Sequence, residues 1–531
     1  MIIAALILVA LAALYYYNTR TFNYWKDRGV KHDKPVLLFG NNLSNYLLKK
    51  SVTEIATEMY FKYPNEKIVG FFRSTRPELV IRDPDIMKKI LTVDFIHFYP
   101  RGLNAHKTII EPMMRNLFFA DGDLWRLLRQ RMTPAFTSGK LKAMFPLIVE
   151  RAERLQERTL AAAANGRTID ARDLMARYTT DFIGACGFGL DADSINNETS
   201  AFRKLGHKIF DVTIKDAIVG MLKEVFPQAC ARLKYMGKME QDLIDLVNEI
   251  QRQRNYEPSG RNDFIDLLLE IKKKGTMVGE SIEKFKPDGT PEQATIELDE
   301  ILMAAQVFVF FAAGFETSSS ATSFTLHQLA FNPDVQKKVQ SEIDRVLAKH
   351  DNKLSYDAIK EMTYLEWCFR EAMRMFPSLG FLIRECARTY TIQEVDVTID
   401  EGTGIVIPLQ ALHNDPIFWD EPEEFRPERF HPDELNSIQK QIYLPFGEGP
   451  RVCIGERLGL MQSMAGLAAI LSKFTVEPAP ETIRKPRVEP KSSIVQGIRG
   501  GLPLLFKERK TVSACLVTIE LYLHVHVPKC D

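Results

Sequence analysis

The ten residues from Phe446 to Gly455 read FGEGPRVCIG, and they are the most informative stretch of the chain for both fold and chemistry. They place Cys453 in a glycine-interrupted loop, where backbone amides can approach a sulfur atom closely. Arg451 stands two residues before the cysteine, and a nearby guanidinium favours the thiolate form that ligates metals. We therefore expect Cys453 to have a low pKa, and such a thiolate can ligate iron. A buried structural cysteine is the alternative for a lone Cys.

The composition excludes several classes of function. The 531 residues include 69 basic and 69 acidic side chains, so no overall charge attracts nucleic acid, and no nucleic-acid partner is expected. Seven cysteines, odd in number and without a CxxC pair, argue against a disulfide framework or a zinc finger. No P-loop, GxSxG or helix-opening GxGxxG is present, so the chain shows no recognisable dinucleotide fold for flavin or nicotinamide.

The first twenty residues predict a membrane anchor. The segment from Ile2 to Tyr17 carries no charge, and as a helix it would span about 24 Å, slightly under the roughly 30 Å hydrocarbon core. Basic residues outnumber acidic ones just after it, which favours a cytosolic position for the rest of the chain. A cleaved signal peptide is the alternative, but a basic n-region and a clean cleavage site are missing. We divide the remainder into a linker at 21–34, a folded domain at 35–510 and an atypical tail at 511–531.

Helical patterns dominate the predicted domain. A hairpin is expected from 67–72 and 78–82, and amphipathic spacing predicts helices at 141–160, 201–218 and 236–251. A longer helix at 297–329 is apolar on all sides at its centre, which is typical of a buried core helix or a membrane span. The apolar run is shorter than a spanning segment and is followed by Glu316 and several hydroxyl residues, so we favour a buried core helix. Strands are expected at 389–408, and a hairpin at 492–506 with its turn at Gly500-Gly501.

The middle of the long apolar helix reads Ala313-Gly314-Phe315-Glu316-Thr317. Gly314 allows a ligand to approach the backbone, and Ala313 and Thr317 lie four residues apart on one face. A threonine hydroxyl bonded to the carbonyl four residues earlier can bend a helix and open a groove for a small ligand or water. An ordinary buried helix with a polar end fits this segment equally well.

Three shorter motifs accompany this segment. Trp125 and Arg129 form WxxxR, Glu371 and Arg374 form ExxR, and Arg429 lies in PERF. Taken singly, an i,i+3 ion pair is worth only about 0.2 to 0.5 kcal/mol, and a lone arginine is usually a solvated surface group. The motifs are informative as an ordered set, in which WxxxR, ExxR and PERF follow one another before the Cys453 loop.

Together these motifs resemble the cytochrome P-450 superfamily over about residues 20–507. Three stretches, YWKDRGVKHDKPVLLFGN, AQVFVFFAAGFETSS and PFGEGPRVCIG followed by GLMQ, are similar to the insect microsomal family six. The resemblance implies a mainly α fold with small β-sheets around one haem b, held by its N-terminal anchor in the endoplasmic reticulum membrane. It also implies a monooxygenase that inserts one oxygen atom of O2 into lipophilic substrates. Its electrons would come from NADPH through cytochrome P-450 reductase, with cytochrome b5 as a second candidate partner.

The resemblance also assigns roles to residues. Cys453 would be the axial ligand of the haem iron, and Thr317 and Glu316 would deliver protons during oxygen activation. Other haem contacts would be Trp125, Arg129, Ala313, Gly314, Arg384, Phe446, Gly447, Arg451 and Gly455. A buried structural triad would consist of Glu371, Arg374 and Arg429. The candidate substrate-pocket residues are Phe118, Phe119, Phe308, Phe311, Leu379 and Ile383.

Family members with this pattern usually oxidise lipophilic foreign compounds such as plant toxins and insecticides. One alternative function is a haem-thiolate protein that binds or sequesters ligands without turnover, and intact Glu316 and Thr317 argue against it. Another is a membrane-tethered cysteine hydrolase, which would need a histidine beside Cys453, and none lies within the loop. The stretch 214–239 fits either an interfacial membrane patch or a solvated helix pair.

Overall fold

The computed structural model describes residues 2–509, apart from 165, 192, 198–199, 211–212, 262 and 493. Helices dominate and the strands form small sheets, so the predicted mainly α fold class is confirmed. The predicted tail at 511–531 lies outside the described residues.

The helices begin and end as follows. They are α1 (Ile2–Thr19), α2 (Tyr24–Asp27), α3 (Leu43–Tyr46), α4 (Val52–Lys62), α5 (Pro84–Lys88), α6 (Gly122–Met132), α7 (Ser138–Ala163), α8 (Ala171–Phe188), α9 (Ala201–Phe210), α10 (Ile214–Val225), α11 (Gly237–Gln253), α12 (Phe264–Lys273), α13 (Glu300–Phe331), α14 (Pro333–Lys349), α15 (Tyr356–Glu361), α16 (Thr363–Met375), α17 (Leu409–Leu412), α18 (Ser437–Ile442) and α19 (Glu456–Lys473).

The strands form small sheets at the margins of the helical body. They are β1 (Ile68–Arg73), β2 (Arg76–Ile81), β3 (Ile169–Asp170), β4 (Thr276–Phe285), β5 (Pro291–Glu297), β6 (Leu382–Glu385), β7 (Tyr390–Ile392), β8 (Val397–Ile399), β9 (Gly404–Ile407), β10 (Phe474–Pro478) and β11 (Pro503–Glu508). The largest sheet has the order β1-β2-β9-β6, with β2 and β9 parallel and the other pairs antiparallel. The order β10-β11-β3 forms a second sheet, and β4-β5 and β7-β8 are antiparallel pairs.

Several sequence predictions are confirmed and two are wrong. The first hairpin and the helices near 141–160, 236–251 and 297–329 form as expected. The helix predicted at 201–218 is instead two helices, because Thr213 and Asp216 form a capping box that begins α10. The hairpin predicted at 492–506 does not form, since β11 pairs with β10 and β3. The long pair β4-β5 was not predicted, because its exposed positions carry little apolar alternation.

Helix α13 is the centre of the core. It packs against α8, α11, α16 and α19, and most of its length is buried. Its polar residues are tolerated there because their hydroxyls bond within the helix: Thr322 Oγ1 donates to the Ser318 carbonyl at 2.7 Å, and Thr325 Oγ1 to that of Ala321 at 2.8 Å. Helix α13 is therefore a buried core helix rather than a membrane span, as the sequence predicts.

Helix α1 has the opposite surroundings. Within the described part of the chain, α1 and α13 are the helices long and apolar enough to cross a membrane, and the side chains of α1 are almost all exposed. Ile2 is 79% and Leu8 66% exposed, which suits contact with lipid. The predicted linker after it contains α2, whose Trp25 is fully buried and donates from Nε1 to the Phe71 carbonyl at 2.9 Å.

The structure brings Glu371, Arg374 and Arg429 together in the core below α13. Arg374 donates to Glu371 from Nε at 2.8 Å and from Nη2 at 3.0 Å, with both side chains fully buried. Arg429 Nε reaches the same carboxylate at 3.2 Å. Arg374 also holds two loops, through the carbonyls of His413 and Pro422, each at 2.7 Å. This bonding supports the structural role that we predict for the triad.

We predict that Arg374→Met destabilises the protein by about 3 to 5 kcal/mol, because it leaves the Glu371 carboxylate buried beside a weaker partner. Helix α16 offers a matched control, since the partly exposed Arg370 pairs with Glu366 one turn away at 2.6 Å. Arg370→Met should cost less than about 1 kcal/mol. Chemical denaturation followed by tryptophan fluorescence measures both variants. Equal losses for the two would show that burial of the triad contributes nothing.

Candidate functional site

Cys453 is held at the end of a rigid loop that leads into α19. Its backbone N–H donates to the Phe446 carbonyl at 2.9 Å, and Arg129 Nη1 donates to the Val452 carbonyl at 2.7 Å. Gly449 adopts a φ of 73°, and a Cβ added there would lie 2.0 Å from the Leu91 carbonyl oxygen. Glycine is therefore required at this position, and the loop presents the sulfur to the cavity above it.

A cavity of about 880 Å³ lies between Cys453 and α13. The cavity face of α13 consists of Val309, Phe310, Ala313, Gly314 and Thr317. These positions follow the spacing of one helix face. Among the other predicted haem contacts, the cavity wall contains Trp125, Arg129, Arg384, Phe446, Gly447, Arg451 and Gly455. The structure thus gathers the predicted haem-contacting residues around one cavity.

Several arginines line this cavity, and four of them lie at its Cys453 end. We refer to Arg101, Arg129, Arg384 and Arg451 as the arginine cluster. One carboxylate, Asp121, serves them: it lies 2.8 Å from Arg451 Nη2. Burial, with repulsion from Arg101, lowers the pKa of Arg384 to about 9, and burial lowers that of Arg101 to about 10. Burial and the neighbouring arginines also lower the pKa of Arg451. The cluster therefore carries an excess of positive charge that an anionic group would neutralise.

Two buried nitrogen atoms of the cluster support this interpretation. Arg384 Nε and Arg451 Nη1 have no hydrogen-bond partner among the described residues. Buried donors are normally satisfied, so they indicate acceptors supplied by a bound group. Haem b fits on each count, because it has two carboxylates for the arginine cluster, a flat apolar body for the cavity and an iron atom for the sulfur of Cys453.

The expected low pKa of Cys453 is wrong for the protein without metal. Its side chain is accessible from the cavity but enclosed by the protein, and burial raises the pKa of the thiol. The N–H of Gly455 and the charges of Arg129 and Arg101 lower the pKa by less than burial raises it. Arg451 points elsewhere, donating from Nε to the Tyr99 carbonyl at 2.9 Å. The thiolate therefore needs the metal as its main stabilising charge.

Thr317 and Glu316 have different surroundings. Thr317 lines the cavity, and its hydroxyl donates to the Ala313 carbonyl at 2.7 Å, as the i,i+4 spacing predicted. Glu316 is absent from the cavity wall, and its carboxylate forms an ion pair with Arg172 at the start of α8. The expectation that both side chains serve the cavity directly is corrected for Glu316, which points toward α8 instead.

The predicted substrate-pocket residues divide in the same way. Phe118, Leu379 and Ile383 line the cavity, whereas Phe119, Phe308 and Phe311 do not. Phe308 and Phe311 of α13 lie off the helix face that lines the cavity. Phe311 packs instead in the core against Phe188 and Phe202. The sequence analysis missed Val309, Phe310 and Arg101. The helical spacing back from Ala313 and Thr317 would have found Val309 and Phe310, since residues three to four apart share a face.

The sequence profile described as cytochrome P450 matches residues 31–503. The chain therefore belongs to the cytochrome P450 family, and it is a monooxygenase of that family. Its relatives include insect members of family six. Cytochrome P450 6B2 of Helicoverpa armigera is 38% identical over 509 residues, covering 96% of this chain and 99% of the relative. Cytochrome P450 6a2 of Drosophila melanogaster is 37% identical over 519 residues, covering 95% and 99%.

We predict that Cys453→Ala abolishes the red-shifted Soret band that the reduced, carbon monoxide-bound protein shows with thiolate ligation, because no other described cysteine lines the cavity. The matched control is Cys186→Ala, which removes a buried cysteine of α8 and should leave the band unchanged. The measurement is the carbon monoxide difference spectrum of the two purified variants. A normal thiolate band in Cys453→Ala would remove Cys453 from the ligand role.

Proposed function

We propose that this monooxygenase oxidises lipophilic foreign compounds, such as plant toxins or insecticides. The observation that carries this proposal is the cavity itself, which joins Cys453 and Thr317 to apolar walls in one space of about 880 Å³. Ligand sites of this size that are mostly apolar with a few polar groups suit drug-sized hydrophobic molecules. The relatives of family six support the same class of substrate.

The residues that we assign to the haem have separate tasks. Bound haem would supply the activation of molecular oxygen. Cys453 would hold it through sulfur, and the arginine cluster would hold its carboxylates and fix its orientation. Gly314 lines the cavity and also allows Ile183 of α8 to pack closely against α13, since a Cβ added there would lie 2.9 Å from Ile183 Cδ1.

Thr317 is the hydroxyl that we assign to proton delivery. It lies on the cavity face of α13 with its hydrogen bonded to the Ala313 carbonyl, and its oxygen remains free to accept a hydrogen bond from water. A hydroxyl held in this way can pass a proton from solvent to a reacting atom. Glu316, held by Arg172, would act through water or by leaving its ion pair.

We further propose that electrons reach the protein from NADPH through cytochrome P450 reductase, and that cytochrome b5 is a second donor. The protein would lie on the cytosolic face of the endoplasmic reticulum, anchored by α1. Exposed apolar residues of α10, Ile214 at 73% and Ile218 at 49%, add a second surface suited to membrane lipid. The residue that follows α10 contacts the anchor, which supports this arrangement: the Phe226 ring stacks on Tyr17 with ring centroids 6.1 Å apart.

We predict that Thr317→Ala keeps haem and substrate binding but uncouples the reaction, so that hydrogen peroxide replaces oxidised product while NADPH consumption continues. Loss of a proton donor costs about 10²-fold to 10⁴-fold in the step it serves, although water can substitute in part. The control is Thr322→Ala, a similar buried hydroxyl on α13 that is absent from the cavity wall. The measurement is product formed per NADPH consumed at saturating substrate. An unchanged ratio in Thr317→Ala contradicts the assignment.

Deletion of residues 2–20 should move much of the protein from the membrane pellet to the soluble fraction, because α1 provides the exposed apolar surface. The carbon monoxide spectrum should be unchanged, since none of the deleted residues except Arg20 lines the cavity. Residual membrane binding through 214–239 is expected. The shift is measured by sedimenting the microsomes of expressing cells and comparing the protein in the pellet with that in the supernatant. Loss of bound haem in the truncated protein would contradict the separation of anchor and domain.

A further inference from the structure

The end of the cavity nearest the membrane anchor carries a carboxylate with an unusual environment. Glu224 of α10 is half-buried and lines the cavity. Its carboxylate accepts one hydrogen bond, from the Tyr46 hydroxyl at 2.5 Å. No nitrogen of a described lysine or arginine lies within 4.0 Å of it. An anionic group on the wall of a largely apolar cavity is costly unless a cation accompanies it.

The other acidic residues on this wall already have partners, including Glu385, whose carboxylate lies 2.7 Å from Arg76 Nη2. The Glu78 carboxylate accepts hydrogen bonds from Arg73 Nε at 2.7 Å and Nη2 at 3.2 Å. The Glu111 carboxylate pairs with Lys223 Nζ at 2.5 Å, and that of Asp216 with Lys238 Nζ at 2.9 Å. Each of these cations therefore has its own carboxylate. The charge of Glu224 also helps to raise the pKa of Arg73. Both Arg73 nitrogens that donate a hydrogen bond to a carboxylate, however, donate it to Glu78.

One negative charge therefore remains at this end of the cavity. Lys491 and Arg20 also line the cavity without a carboxylate among the ion pairs of the described residues, but both are solvent-exposed, and the Arg20 guanidinium lies 4.0 Å from the ring centroid of Tyr17. They can neutralise little of the charge of Glu224, because solvent screens them. The excess charge at the anchor end is thus opposite in sign to that of the arginine cluster at the Cys453 end.

Two tyrosine rings flank the carboxylate on the cavity wall. Tyr46 and Tyr235 both line the cavity, and burial raises the pKa of each phenol, so both rings stay neutral. The Tyr46 hydroxyl consequently remains a donor that orients the carboxylate. Neutral aromatic faces beside a carboxylate favour organic cations, because the ring quadrupole attracts positive charge.

This end of the cavity also lies beside the end of the anchor. Val225 and Phe226 directly follow Glu224, and the Phe226 ring stacks on Tyr17 of α1. A lipophilic amine in a bilayer keeps its ammonium at the headgroup level and its apolar body among the acyl chains. A molecule entering near the anchor would meet Glu224 with its charged end and could place its apolar body toward Val309 and Phe310 of α13.

We propose that Glu224 is a specificity-determining residue that binds the ammonium group of lipophilic amine substrates. The proposal rests on the proposed function, since it names one substrate class of the same cavity. The carboxylate forms a charge-assisted hydrogen bond or ion pair with the cation, the tyrosine rings contact its alkyl groups, and the apolar part fills the cavity toward Cys453. The bound cation neutralises the charge that the protein leaves unpaired.

The test compares three probes of similar shape by equilibrium dialysis against the haem-loaded, full-length protein. They are N,N-dimethyl-4-phenylbutylamine, the quaternary (4-phenylbutyl)trimethylammonium ion and the neutral hydrocarbon (5-methylhexyl)benzene. The quaternary ion cannot coordinate iron through nitrogen, so it separates recognition of charge from metal ligation. Glu224→Gln should weaken binding of both cations by about tenfold or more and change binding of the hydrocarbon less than about twofold.

Two further variants sharpen the result. Glu224→Asp keeps the charge and should retain most of the preference for cations, and Glu292→Gln, at an exposed position of β5, should change nothing. Equal weakening of all three probes in Glu224→Gln would show a structural role and overturn the proposal, as would unchanged cation binding. If the wild-type protein bound the cations but neither bound nor oxidised the hydrocarbon, the proposed oxidation of lipophilic compounds in general would be contradicted. The proposed amine site at Glu224 would not be contradicted by that result.

Discussion

The structure depends on an imbalance of charge around one cavity. At its Cys453 end the four guanidinium groups of the arginine cluster share a single carboxylate, Asp121, and two of their nitrogens are buried without a hydrogen-bond partner among the described residues. Buried like charges lower one another's stability unless an anion joins them. We therefore interpret the arginine cluster as the proposed binding site for the carboxylates of the cofactor. The raised pKa of Cys453 leads to the same conclusion, since its thiolate also needs an external charge.

Helix α13 satisfies two opposing demands. It has to be buried on nearly all sides to hold the core together, and it has to leave room for ligands where it crosses the cavity. Ala313 and Gly314 provide that room with small side chains, and Thr317 bonds its hydroxyl within the helix. The buried hydroxyls that follow are satisfied in the same way, which lets a polar segment pass through an apolar core.

Much of the fold and site could be predicted from short motifs, because each motif constrains local geometry. WxxxR, ExxR and the Cys453 loop lie where their spacing indicates, and the residues that they contribute meet across long separations in the chain. Side-chain direction was harder to predict. Phe308 and Phe311 suggest a pocket by their chemistry alone, yet they lie off the face defined by Ala313 and Thr317. Glu316 pairs with Arg172, 144 residues earlier, which no local pattern reveals. The low pKa expected for Cys453 failed because a sequence shows a neighbouring arginine but not the burial that opposes it.

The central claim is that the arginine cluster is built for a dianionic, thiolate-ligated cofactor. Competition between haem and its dimethyl ester for the cofactor-free protein tests it directly, because esterification removes both carboxylate charges and leaves the iron and the apolar ring unchanged. We expect haem to bind at least about a hundredfold more tightly, since each charge-assisted contact is worth about tenfold or more. The ratio of the affinity for haem to that for the ester should be smaller in Arg384→Met than in the wild-type protein. Equal affinity of the wild-type protein for haem and ester would contradict the account.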